Sequence, residues 1–162
     1  MESVLTWLKN SVFAHFILGY TWAWPVCEIL HFVGMALLMG VILAIDLRML
    51  GVLKRVSFGP LHRLLPWAIA GFIINALTGF LFFTGDPFQY SHNPAFILKM
   101  LFIAVAGINA LVFYLVPFPK VESLGPGDDA PISARIIAAT SIFLWFGVMY
   151  LGRMLPFIGN AF

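Results

Sequence analysis

Two ionisable side chains, Glu28 and His31, stand one helical turn apart inside the apolar run from Trp22 to Ile45. About 20 mostly apolar residues cross a bilayer, and an ionisable group within such a segment is costly unless it faces a protein interior, a cavity or a cofactor. At about 1.5 Å per residue, His31 lies roughly 10 Å below the outer end of its span. Lys99, about one turn into a third apolar run, Arg153 near the end of a fourth, and His92 in a connection on the same side converge on that outer half. One imidazole beneath two cations suits haem b, an apolar macrocycle whose iron takes an axial histidine and whose two propionates need cations. In this reading His31 is the axial ligand, Lys99 and Arg153 meet the propionates, and Gly34 lets a flat ring approach the backbone. A second axial ligand is left open between His92, His15 and none.

Each residue also has a plainer role. His31 can bond across helices to Thr78 or to a backbone carbonyl, Lys99 and Arg153 can snorkel, His92 can be surface, and membrane glycines commonly mark close helix packing. His62 opens the second run some 20 Å in depth from His31, too far to share one iron. It is either interfacial beside Arg63 or part of a second, inner haem site with Arg48 and Arg55. Cys27, His31, Met35 and Met39 fall at successive fourth positions and form one stripe, a donor set that suits copper(I) as the alternative metal. Asn75, Thr78, Asn109, Thr140 and Ser141 fall toward mid-bilayer and read as bonds between helices.

The elements that position these residues follow from composition. Of the 162 residues, 62% are hydrophobic and 10% charged, against about a quarter charged in soluble domains, which excludes an ordinary soluble fold. Four runs, about 22–45, 62–84, 95–116 and 134–154, are each long enough to span, which predicts a single-domain, all-α four-transmembrane-helix bundle in a lipid bilayer. Breakers separate them at Gly59-Pro60, Gly85-Asp86-Pro87 and Pro117 to Pro131, the last a long polar loop expected to be mobile. Ahead of them, residues 3–17 show helical periodicity interrupted by Lys9, Asn10 and His15, as in an amphipathic helix lying at the interface. Six of the nine basic residues (Arg48, Lys54, Arg55, Arg63, Lys120 and Arg135) fall on one side. Positive-inside bias places that side in the cytoplasm of a bacterial-type inner membrane, with both termini outside. Residues 1–20 carry only Lys9 and lack a basic leader, so no removable signal peptide is expected. A net charge of +2 without a basic face argues against nucleic acid, and a single cysteine excludes an intramolecular disulfide.

The order of several short stretches resembles the superfamily of small four-helix membrane proteins that includes the CopD copper-resistance domain and the HemJ-type protoporphyrinogen oxidase. They are Glu28-Ile29-Leu30-His31-Phe32-Val33-Gly34, then Gly40 and Asp46-Leu47-Arg48, Leu64-Leu65-Pro66, Leu77-Thr78-Gly79, Lys99 among apolar residues, Ser141-Ile142-Phe143-Leu144-Trp145 and Gly152-Arg153. The similarity covers roughly residues 22–154. It implies haem b held through His31 and Lys99; a later histidine of the third span has no counterpart around Gly107-Ile108-Asn109. The resulting expectation is a small membrane cytochrome that passes electrons to or from quinone or an outer redox partner, as a homo-oligomer. The alternatives are an oxidoreductase of porphyrinogens and a copper-handling membrane protein.

Overall fold

The computed structural model describes residues 2–158, and among them every regular element is a helix. Two short helices, α1 (Glu2–Lys9) and α2 (Val12–Gly19), precede the long α3 (Ala23–Met49). A short α4 (Phe58–His62) leads into α5 (Leu65–Gly85), and α6 (Pro87–His92) leads into α7 (Pro94–Leu115). After α8 (Phe118–Val121) the chain closes with α9 (Ile132–Met154). Helices α3, α5, α7 and α9 are long and apolar enough to cross a membrane. Ile29, Phe32, Leu77, Ile108 and Phe143 stand more than half exposed on them, a surface that lipid rather than water solvates. The protein is therefore a multi-pass, four-helix membrane bundle, as its composition predicts.

Helix α3 packs along α5, α7 packs along α9, and α3 joins the two pairs through α9. The α3–α5 crossing is made by glycines. A Cβ on Gly34 would stand 2.8 Å from the Gly71 carbonyl oxygen, and one on Gly71 would stand 2.5 Å from that of Gly34. Such backbone approach maximises dispersion where lipid offers no hydrophobic drive to association. Along most of their length α5 and α7 do not pack against each other. Side chains bridge them at the two ends, where Phe83 stacks on Phe96 (centroids 5.6 Å apart) and His62, just before α5, bonds to Tyr114.

Local chemistry moves several boundaries. The single interfacial helix expected over 3–17 is two, because Ser11 starts a new helix by accepting the Ala14 N–H at 3.3 Å. Ala14 and Ile17 of α2 are buried, so that helix docks on the bundle. The first span runs past Ile45 to Met49 because Asp46 and Arg48 are themselves buried. It stops at Gly51, whose φ of +89° lets the Val52 N–H reach back to the Leu47 carbonyl at 3.0 Å. Asn93 caps α7 with its carbonyl oxygen, which accepts from Ala95 N at 2.9 Å, while its amide donates to the carbonyls of Leu155 and Ile158.

The loop from Pro117 to Pro131, expected to be mobile, is tied down. Arg48 is fully buried and donates to Val56 O at 2.5 Å, Gly125 O at 2.7 Å and Asp128 O at 3.2 Å. The N–H groups of Phe58 and Gly127 add backbone bonds to Leu124 O and Lys54 O. Asp129 bridges Lys54 and Arg135, and the Lys54 hydrogen bond is the main cause that holds its carboxyl below the ordinary value. Beneath these contacts lies an apolar cluster that includes Met49, Phe58, Phe113, Val121 and Ala134. The end of the bundle that carries most of the cations is thus stitched shut; it is called the basic end below, and the opposite one the far end.

Candidate functional site

His31 faces α5. Its Nδ1 is 2.7 Å from Thr78 Oγ1, and the Thr78 hydroxyl also lies 2.7 Å from the Ile74 carbonyl. A hydroxyl has one proton, and a backbone carbonyl can only accept, so that proton goes to Ile74 and Nδ1–H is the donor to Thr78. The neutral imidazole then carries its lone pair on Nε2, which has no hydrogen-bond partner among the described residues. This is the tautomer in which histidine binds a metal, with the other ring nitrogen oriented by an outer hydrogen bond. Gly79 leaves space on the α5 side: a Cβ there would be 3.8 Å from His31 Cε1. The Phe82 ring lies 5.7 Å away, centroid to centroid.

Lys99 enters from α7 and packs over Gly152 of α9, where a Cβ would sit 3.8 Å from Nζ. Its charge falls within electrostatic range of His31. Among the described residues its amine has no hydrogen-bond or ion-pair partner. His31 and Lys99 therefore lie within electrostatic range of each other, and among the described residues neither Nε2 nor the amine has a hydrogen-bond partner.

The remaining candidates distribute differently. Glu28 is exposed at the rim and accepts from Trp24 Nε1 at 3.0 Å. It helps Asp86 to raise the pKa of the Tyr90 phenol, whose first cause is burial. Arg153 is exposed, with its guanidinium 5.6 Å from the Phe157 ring centroid. The polar contacts of His92 lie within its own helix, to Phe88 O at 2.8 Å and Ser91 Oγ at 3.2 Å. Gly34 serves the α3–α5 crossing, where α5 backbone occupies the space in front of it. His62 Nε2 is 3.0 Å from the Tyr114 hydroxyl, and its ring packs on Phe58 and Phe118. Arg48, grouped with His62 by sequence, turns into the loops instead. Cys27 is buried beside Ile17 and Ala23.

One site residue escaped the sequence reading. Asp46 is 3% exposed and its Oδ2 has no hydrogen-bond partner among the described residues, with Ser141 of α9 close to the carboxyl. The signal was present, since a carboxylate one residue past an apolar run is only outside the membrane if the helix ends there. Among the described residues, no three His, Cys, Asp or Glu side chains cluster closely enough to hold a bare ion. Comparison with protein families, with characterised proteins and with solved structures finds no match to this chain.

Proposed function

We propose that this protein is a haem-b-binding membrane cytochrome, with His31 as the axial ligand and electron transfer as its role. The observation that carries the reading is the unpaired Nε2 of His31, held in its ligating tautomer by Thr78, with the unpartnered Lys99 amine within electrostatic range. The order of residues shared with the CopD and HemJ-like superfamily supports the same pair. Haem b bound there would supply reversible one-electron chemistry. The chain's own part is then specific. Thr78 fixes the imidazole, Lys99 offers a second nitrogen or a propionate partner, and Arg153 offers a guanidinium fork at the rim. The four spans exclude water and so tune the potential. Positive-inside bias supports a basic end that lies in the cytoplasm of a bacterial-type inner membrane, in which case His31 would hold the haem toward the outer face.

The test is the absorption spectrum of the protein purified from haem-sufficient cells, with a pyridine haemochrome assay. A Soret band is expected, lost in His31→Ala. Removing the hydrogen bond that orients a metal ligand typically costs 10–100-fold in affinity, so Thr78→Val should release haem about 10-fold more readily. A colourless preparation, or one that holds copper and no haem, overturns the reading.

A further inference from the structure

Between α5 and α7, in the half of the bundle nearer the basic end, lies a cavity of about 290 Å³ lined by all four spans. It sits behind the gap where those two helices do not pack, framed by Phe83 on Phe96 toward the far end and by His62 on Tyr114 toward the basic end. Its rim residues Ile69, Phe72 and Tyr114 are 52%, 41% and 38% exposed on the lipid-facing surface. The opening is therefore sideways, toward hydrocarbon, while the stitched loops close the basic end. Its walls are apolar, with Trp145 from α9 and Ile42 from α3 among them.

The polar lining is concentrated in a few groups. Asp46, with its unpartnered Oδ2, lines the cavity together with Ser141 and Asn109. The Asn109 amide is already committed to Ile137 O at 3.1 Å. A buried polar atom left without a partner costs about 1–3 kcal/mol, so native proteins rarely keep one without a use. A lipid acyl chain in this cavity would leave Oδ2 as it is. A ring oxygen would not. A carboxyl group accepts from a hydroxyl when ionised and donates to a carbonyl when protonated, so it can hold either redox form of a quinone. The volume is near the lower end of ligand sites, which span about 300–1,000 Å³, and so admits a ring head while the tail remains in lipid.

We infer that the window between α5 and α7 is a lateral binding site for the head of a lipid-soluble quinone, with Asp46 holding a ring oxygen. The site needs no haem at His31 and is tested without one. The full chain in nanodiscs is titrated calorimetrically with decylubiquinone and with decylbenzene, which has the same tail and no ring oxygens, each referenced to empty nanodiscs. One hydrogen bond to a buried carboxyl is worth about tenfold in affinity, so the wild type should prefer the quinone by about that factor. Asp46→Leu should abolish the preference. Gly107→Leu places a side chain in the mouth, where a Cβ meets nothing within 4 Å, and should weaken both probes. Equal binding of the two probes by the wild type, a quinone preference that survives Asp46→Leu, or binding of both probes undiminished in Gly107→Leu overturns the proposal. If Asp46→Leu does not fold, the wild-type comparison and Gly107→Leu decide it.

Discussion

Replacing Arg48 by methionine should unfasten the basic end while leaving the spans in place. The guanidinium is fully buried and donates three hydrogen bonds to the carbonyls of Val56, Gly125 and Asp128, joining the first connection to the third. Hydrogen bonds from a charged donor contribute about 1.5–3 kcal/mol each, but part of that returns when water reaches the freed carbonyls. Discounting the longest bond and allowing for rehydration leaves about 3 kcal/mol, which raises the population of the open loop roughly 100-fold. Lys120 lies in the released segment and is exposed, which makes it the natural cleavage site for trypsin. When opening is fast relative to cleavage, the rate follows the open population, so trypsin should cut at Lys120 about 100-fold faster in Arg48→Met. Helical content by circular dichroism should be unchanged, because backbone bonds inside a lipid-embedded helix have no competing solvent. Arg48→Lys should fall between the two, since an ammonium cannot reproduce the planar fork. Cleavage at the wild-type rate, with helices intact, would refute the view that this side chain fastens the loops.

Two further outcomes follow from the packing and the rim. Gly71→Ala puts a Cβ 2.5 Å from the Gly34 carbonyl oxygen and must separate α3 from α5, at an expected cost of about 1–3 kcal/mol in denaturant unfolding. Gly40→Ala, where a Cβ meets nothing within 4 Å, is the matched control and should cost nothing. Burial, then Asp86 and Glu28, raise the Tyr90 pKa above its ordinary 10.0, so its phenol should remain protonated beyond pH 10 in an ultraviolet titration. The stability it lends is fully present below pH 10 and is lost as pH rises through the folded value. Glu28→Gln should move that transition downward, and an unmoved transition would mean that the two groups do not face each other.

The spans were legible in the sequence because run length and composition alone decide what lipid can solvate. The Thr78 partner of His31 was legible too, as a polar residue at matching depth on the next span. What escaped depends on contacts distant along the chain. Arg48 was counted as a charge that orients the bundle, yet its acceptors at Gly125 and Asp128 lie 77 and 80 residues away. Asp46 escaped for a related reason, since ending the first span at Ile45 set aside a carboxyl that the helix carries inward. Gly34 kept two meanings until the α5 backbone was seen against it. The break at Ser11 was written locally, but the apolar spacing on either side continues through it and hides the cap.

The amide of Asn93 has a reach beyond capping. Both of its ends are committed, one to the start of α7 and the other to the carbonyls after α9. The last two spans, α7 and α9, are thereby pinned in height against each other, and Lys99 stands six positions further along the pinned helix. Slipping that register by a single residue would slide the amine about 1.5 Å along the axis and turn it about 100° away from Gly152. The level at which a positive charge is moored beside His31 is thus set by a neutral side chain that touches neither of them.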